Sequence, residues 1–470
     1  MQLDLTPISE TRAATTLHPV MAVATVAATV LMLVWPRKKI LIPFLLVAFL
    51  GAWGQFIYFF GVHLYIVRVL IIAGLIRVMI SKDADGGPRL AGGWNSVDTA
   101  YSLWVCFHAI ADIVRHGGNS SSLITQSGFV WDWLGAYILA RAVVRNRDDM
   151  FRVVETFAGL ALFLGAAMLN EKLRGQNIFG YLGVNPVLPQ IREGSIRAQA
   201  AFAHPILAGV AGATLLPLFW LLWKSAKSKK MAVVGVVGSL LMVLTSASST
   251  PAMALGSAAL GVGMWPLRKK MRIIRWAMAL SIIALHLVMK APVWFLIARV
   301  DLIAGNSGYH RAGLIDQCIR HFGDWWLYGS DAMSTWGWDM WDLSNQFVVE
   351  ADCGGILAFI CFVLVISRSF GRIGKARKLV EGDTEQEWFF WLLGVTLLTH
   401  AVSYFGISYQ DQVKFSWCAF LAIATAATYP VLAKSAAAEP LPLPSFRRPL
   451  AVKPETAAGV GKSGISLRKV

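Results

Sequence analysis

Apolar runs and short polar connections alternate along nearly the whole chain. The apolar segments lie near 18–35, 40–60, 63–80, 98–114, 128–144, 152–170, 200–223, 231–248, 251–267, 273–291, 346–367, 388–408 and 412–433. A helix rises 1.5 Å per residue, so about 20 apolar residues cross the hydrocarbon core of a bilayer. In lipid every backbone N–H and C=O must be satisfied within the segment, which selects helices. The pattern therefore predicts an all-α, polytopic membrane protein with about 13 transmembrane helices. It is interrupted by two long polar stretches, 171–199 and 292–344. The second is rich in Trp and is expected to form short helices that roof a cavity. A Pro-, Ala- and Lys/Arg-rich tail follows from Ser435. The expected division is a transmembrane domain over 1–434 and a disordered basic tail over 435–470.

Composition agrees with the pattern. Of 470 residues, 56% are hydrophobic and 15% charged, against about 25% charged in a soluble domain. Mean hydropathy is +0.57. The net charge of +16 does not point to nucleic acid, because the cations sit in short clusters between apolar runs, as in cytoplasmic loops. Taking the Arg37-Lys38-Lys39 link as cytoplasmic, alternate connections and the tail hold 31 of the 43 Lys and Arg. The other side holds 11, and Arg68 lies inside a span. This bias predicts the N-terminus outside and the C-terminus in the cytoplasm, with 171–199 and 292–344 on the outer face. The five cysteines form no CxxC pair and read as reduced core residues. Only Arg12 is basic before the first apolar run, so no cleavable signal peptide is expected. Gly461-Lys462-Ser463 resembles the end of a phosphate loop, but Thr456 stands where the earlier glycine belongs. The basic tail is expected to meet anionic membrane lipid or nothing specific.

The outer loops carry the candidate chemistry. Arg197 lies just before the helix expected from about Ala200, and His204-Pro205 lies in its first turns. A histidine at membrane depth is costly unless partnered, so His204 either belongs to a site or shapes the start of a Pro-led helix. Tyr309-His310-Arg311 opens a short amphipathic helix with Leu314, Ile315, Cys318 and Ile319 on one face. Arg311 is placed for a site, or for pairing with Asp316 or Asp324. Trp325, Trp326, Trp336, Trp338 and Trp341 are interfacial anchors, a platform for sugar faces, or packing that roofs a cavity. Asp342 or Ser344 is placed to cap the next helix. Glu350 and Asp352, a turn or two into it, are carboxylates at membrane depth, which usually face a cavity or a cation.

The chain resembles the O-antigen ligase and O-antigen polymerase superfamily of bacterial envelope proteins. Four features carry the resemblance over roughly 190–365, and the rest is similar by topology. They are Arg197, Phe202, His204 and Pro205 at the start of a span; the Ser-rich break Thr245–Pro251; Arg311 with Tyr328-Gly329-Ser330 in the large outer loop; and Asn345, Phe347, Gly354 and Gly355 in the following helix. Two places depart. Ser249 and Thr250 stand near where many relatives carry an arginine, and Ser344 stands where many ligases carry a histidine.

The resemblance implies a glycosyltransferase that polymerises or ligates oligosaccharide carried on a polyprenyl diphosphate, at the outer face of the bacterial cytoplasmic membrane. The partners are then the lipid-linked donor, a glycan or lipid acceptor, and membrane lipid. Arg197 and Arg311 would converge to stabilise the departing diphosphate. His204 or His310 would take the acceptor's proton. Asp342, Asn345, Trp326 and Trp338 would bind substrate. No paired-His ligand set is present, and neither metal nor cofactor is expected. The alternative reading is a transporter of lipid-linked sugar or another envelope precursor. Transporters often carry internal repeats, and none is evident in the sequence.

Overall fold

The computed structural model describes residues 15–438, except 53, 82–88, 184, 225–227, 301–306 and 341–343. Asp342, Trp341 and the tail from 439 lie outside the described residues. Helix dominates: α1 (Pro19–Val34), α2 (Leu41–Leu50), α3 (Ile66–Ile80), α4 (Ser96–Arg115), α5 (Ser120–Val130), α6 (Ala136–Val143), α7 (Arg147–Arg174), α8 (Pro205–Lys224) and α9 (Lys229–Thr245). They are followed by α10 (Ser249–Gly263), α11 (Met271–Val288), α12 (Ser307–Arg320), α13 (Phe322–Trp325), α14 (Gln346–Leu379), α15 (Thr384–Ser403) and α16 (Asp411–Ala438). A five-residue π-helical stretch joins α5 to α6.

Six helical segments among the described residues are long and apolar enough to cross a membrane: Ser96–Arg115, Arg147–Arg174, Pro205–Lys224, Trp265–Val288, Gln346–Leu379 and Asp411–Ser435. Several expected spans are shorter. The 40–60 segment holds only the ten-residue α2, about 15 Å long at 1.5 Å per residue, roughly half of the hydrocarbon core. It then turns into an antiparallel hairpin, β1 (Phe56–Phe59) with β2 (Val62–Tyr65). A second hairpin, β3 (Gln190–Arg192) with β4 (Ser195–Arg197), turns at Glu193-Gly194. The fold is thus nearly all-α, with two small hairpins among the described residues, each within a stretch whose residue types are as apolar or as mixed as its helical neighbours. α16 runs to Ala438, past the expected boundary at 434.

Local sequence explains the helix ends. Asn95 and Asp98 make a reciprocal capping box at α4. Asn146 caps α7, which ends on Gly175 in the left-handed conformation. Pro19 opens α1, with the His18 ring accepting from Val20 N–H. The core is aromatic: Trp104, Trp417, Phe157, Phe202, Phe219 and Phe362 are fully buried. α11 stands apart, with none of its residues buried. An apolar helix without protein cover suits a lipid surround.

The 292–344 stretch does fold as short helices, and it makes a small core of its own. Leu314, Cys318, Trp325, Met333, Trp336 and Met340 pack on Val348 and Ala351 of α14. What docks it is a break in α14. Gly355 has φ 67° and ψ −173° in mid-helix, and a Cβ there would lie 2.7 Å from Leu327 O. Ile356 N–H donates to Trp326 O and Ser330 N–H to Asp352 O. Arg115 donates to Tyr328 O and Cys353 O across the same break. The Gly354-Gly355 pair is therefore a socket for the Tyr328-Gly329-Ser330 turn.

Candidate functional site

The turn that carries Arg197 is held from several sides. Glu171 of α7 accepts from the backbone N–H groups of Gln199 and Ala200. Asn177 donates to Ala200 O, Asn185 to Ala200 O and Phe202 O, and Gln412 to Ala201 O. Ala198 N–H donates to Thr245 O. These contacts fix a backbone with positive φ at Ala200 and turn the Arg197 side chain inward, where it is 7% exposed.

Its guanidinium donates to Ser248 Oγ from Nη2 at 2.7 Å and from Nε at 3.3 Å. Arg311, 3% exposed, donates from Nη1 to Ser249 Oγ at 3.5 Å, the outer edge of hydrogen-bond range. Ser248 and Ser249 are consecutive, so their Cα atoms are about 3.8 Å apart. Two arginines distant in sequence are thereby gathered at the head of one helix, α10. The Thr245–Pro251 run supplies the platform. Ser248 is the N-cap of α10, yet its hydroxyl makes no cap bond to the helix. It receives Arg197 and donates to Ser246 O instead. α8 approaches this turn closely because Gly209 has no side chain; a Cβ there would sit 2.5 Å from Ser246 Oγ.

The head of α10 is electropositive. A helix N-terminus carries about half a positive charge, and two guanidinium groups are added to it. Among the described residues no carboxylate lies within ion-pair distance of Arg197. Burial, then the charges of Arg192 and Arg311, pull its pKa down to about 10. Asp316 and Asp324 do not take up Arg311's expected pairing: Asp316 pairs with Arg320 at 2.7 Å and Asp324 with His321 at 3.0 Å.

The candidate bases divide. His204 lies one residue before α8, where its Nδ1 accepts from Ile206 N–H at 3.1 Å. An imidazole accepting at Nδ1 carries its proton on Nε2, so in this arrangement the Nε2 of His204 is a donor and Nδ1 is taken up by the backbone. Burial first, then Arg197 and Arg192, lower its pKa to about 4. It shapes the start of the Pro-led helix while remaining within the field of the arginines. His310 is part-buried and its Nδ1 lies 3.7 Å from Asp339.

Asn345, not Asp342 or Ser344, is the N-cap of α14; its Oδ1 accepts from Phe347 and Val348 N–H. It is fully buried, and its Nδ2 has no hydrogen-bond partner among the described residues. The tryptophans separate by role. Trp325 and Trp336 are core, whereas Trp326 is half-exposed and Trp338 is 93% exposed.

A second polar centre was only half legible in the sequence. Glu350, 1% exposed, accepts from Trp104 Nε1 at 2.6 Å and Gln346 Nε2 at 2.5 Å, and lies 3.0 Å from His108 Nδ1. Trp104 and His108 project one turn apart from α4, which packs along α14. Glu350 is legible in the sequence as a deep carboxylate, whereas His108 is not among the sequence candidates. The available signal was a histidine inside an apolar run. Glu350 and His108 border a cavity of about 420 Å³, whose far wall holds Arg68, Asp132 and Lys414. Arg68 grips Asp132 at 2.9 and 3.0 Å, and Lys414 reaches it at 3.5 Å. This cavity takes no lining residue from 292–344, and neither Arg197 nor Arg311 lines it. The cavity expected beneath the 292–344 loop does not coincide with it, because the loop docks on α14 and the two arginines pack onto serine.

No protein-family model matches the chain, and no curated protein matches it in sequence.

Proposed function

We propose that the chain is a membrane glycosyltransferase that transfers oligosaccharide from a polyprenyl diphosphate, as the resemblance to O-antigen ligases and polymerases implies. One observation carries this reading: Arg197 and Arg311 meet at Ser248 and Ser249 on the head of α10. Cleaving the sugar–phosphate bond leaves extra negative charge on the diphosphate. Preorganised guanidinium groups meet that charge bidentately in a water-poor setting, where such stabilisation is worth most. At Arg197 the diphosphate would displace a serine hydroxyl. Exposed Trp338 and Trp326 suit the membrane interface or a sugar face, and Asn345 would border the acceptor side.

The proposed setting is a bacterial cytoplasmic membrane, with about 13 membrane-embedded helices, the N-terminus outside and the C-terminus in the cytoplasm. A cysteine placed at the exposed Ser334 should react with an impermeant thiol reagent in intact spheroplasts. Labelling only after lysis would reverse the orientation.

The transporter reading draws on the break in α14, since broken helices near mid-bilayer mark many transporter sites. Here the break is filled by the Leu327–Tyr328 backbone and by Arg115, which speaks against a substrate lodging there. Deleting the gene and examining the lipid carrier tests the proposal. Full-length polymer on the carrier identifies a ligase, and single repeat units a polymerase. An unchanged carrier pool would overturn glycan transfer.

A further inference from the structure

The cavity beside Glu350 is a built polar site, and glycan transfer needs an acceptor pocket with a base. Three donors surround Glu350: the Trp104 indole, the Gln346 amide and the His108 ring. A carboxylate that collects only donors is acting as an acceptor. The proton between it and His108 therefore sits on Nδ1, which leaves Nε2 of the ring with a lone pair. Nε2 has no hydrogen-bond partner among the described residues, and His108 lines the cavity. The ring is fixed on its other sides. It stacks on Phe129 at 4.2 Å, and Gly354 leaves room for it, since a Cβ there would lie 3.2 Å from Nδ1. A carboxylate orienting an imidazole whose far nitrogen is open is the arrangement of a general base.

The rest of the cavity fits a polyhydroxylated ligand. Amides of Gln55, Gln346, Gln410 and Gln412 and the rings of Phe129 and Trp133 line it. Planar amides can bridge neighbouring hydroxyls, and rings pack on the apolar face of a sugar. The volume of about 420 Å³ falls in the range of small-ligand pockets, roughly 300–1,000 Å³. The cavity also adjoins the arginine centre through one segment, 404–412. Gln412 donates to Ala201 O, four residues from Arg197, Thr250 donates to Gly406 O, and Gln346 N–H donates to Tyr404 O.

Resting on the glycan-transfer reading above, we propose that this cavity binds the acceptor sugar and that His108, oriented by Glu350, is the base. The acceptor hydroxyl gives its proton to His108 Nε2 as its oxygen bonds to the donor's anomeric carbon. The anomeric C–O bond to phosphate breaks, and its electron pair leaves on the diphosphate oxygen facing Arg197 and Arg311. His108 is then the catalytic residue and Glu350 the positioning residue.

The test uses the full chain in lipid nanodiscs and the lipid-linked oligosaccharide isolated from cells lacking the gene. Donor consumption and transferred product are followed by mass spectrometry. His108→Asn keeps an N–H toward Glu350 but has no acceptor at the Nε2 position. Its kcat should fall about 100-fold, the usual size of a general-base contribution, with donor KM within about twofold. Glu350→Gln should also lower kcat and leave donor KM unchanged, a split that mere loosening of the fold would not give. If either variant melts early, Gln410→Trp at the exposed cavity rim replaces it and should raise acceptor KM alone. Turnover by the wild type together with near-wild-type kcat in His108→Asn, or an unchanged acceptor KM in Gln410→Trp, overturns this assignment and leaves glycan transfer standing. No turnover by the wild type removes glycan transfer, and this assignment with it.

Discussion

Arg141 in α6 and Arg197 before α8 are both buried arginines, and they are satisfied in opposite ways. Arg141 is clamped by Asp98 at 2.8 and 3.0 Å, donates to Ala91 O and Gly93 O, and has Tyr137 sharing the same carboxylate. Its charge is cancelled within the fold. Arg197 rests on a serine hydroxyl, with Arg311 on the next serine. The first is a closed structural ion pair. At Arg197 the charge is held by a neutral hydroxyl, with no carboxylate within ion-pair distance among the described residues. Burial alone does not mark function; what distinguishes the two is whether the acceptor is a carboxylate or a neutral hydroxyl that a ligand can replace.

The contrast breaks most sharply at Arg141. Arg141→Ala should leave Asp98 buried and unpaired, costing about 3–5 kcal/mol, and little folded protein should be recovered by size exclusion. Arg197→Ala removes a cation that has no counter-ion among the described residues, so its melting temperature should match the wild type or exceed it. Equal losses of folded protein in the two variants would erase the distinction.

Next in size is turnover. Arg197→Ala and Arg311→Ala, at wild-type protein levels, should each lower transfer about 100- to 1,000-fold, as loss of one transition-state donor does. Arg→Lys at either position keeps charge, loses the planar fork and should fall between. Near-wild-type product from Arg311→Ala would remove Arg311 from the mechanism.

A smaller effect is expected at the α14 break. Gly355→Ala places a Cβ at φ 67° and 2.7 Å from Leu327 O. A side chain in this essentially glycine-only region of φ and ψ costs about 1–3 kcal/mol. Amide exchange at Trp326–Ser330 should accelerate while the arginine site keeps its protection. Unchanged exchange there would mean that the loop is not seated through Gly355.

The smallest effect concerns acid. His204 has its pKa lowered to about 4 in the folded protein, against about 6.5 when unfolded. Between those values the unfolded chain binds the extra proton, so stability falls as pH drops from about 6.5 toward 4 and is flat above. Melting temperatures from pH 7.5 to 4.5 should show this slope, and His204→Gln should flatten that part of it. A variant with the wild-type slope would place the titration elsewhere.

What the sequence revealed follows from how local each signal is. Arg197, His204-Pro205 and the Ser248-Ser249 run are polar residues in an apolar chain, so each stood out where it was. That they meet at the head of α10 depends on packing between α8, α10 and α12, to which no local pattern points. Glu350 stood out as a carboxylate at depth. Its partner His108 lies 242 residues away, in a run whose helical period carries no mark of a pairing. The hairpin after α2 was hidden for a different reason: Phe56–Phe59 and Val62–Tyr65 are as apolar as a span, and composition does not distinguish a short hairpin from continuing helix. The cap of α14 fell on Asn345 rather than Asp342 or Ser344, within the one or two residues by which helix ends are uncertain from sequence.

The central claim is that the head of α10 holds a diphosphate between Arg197 and Arg311. The most direct measurement is binding of a polyprenyl diphosphate without sugar to the purified full chain in nanodiscs, with neutral polyprenol of the same length as the comparison. Charged hydrogen bonds contribute about 1.5–3 kcal/mol each. The diphosphate should therefore bind the wild type and weaken roughly tenfold to 100-fold in Arg197→Ala and in Arg311→Ala, while His108→Asn retains it and loses turnover. Equal affinity for diphosphate and polyprenol, or diphosphate affinity unchanged by either arginine substitution, would contradict the account.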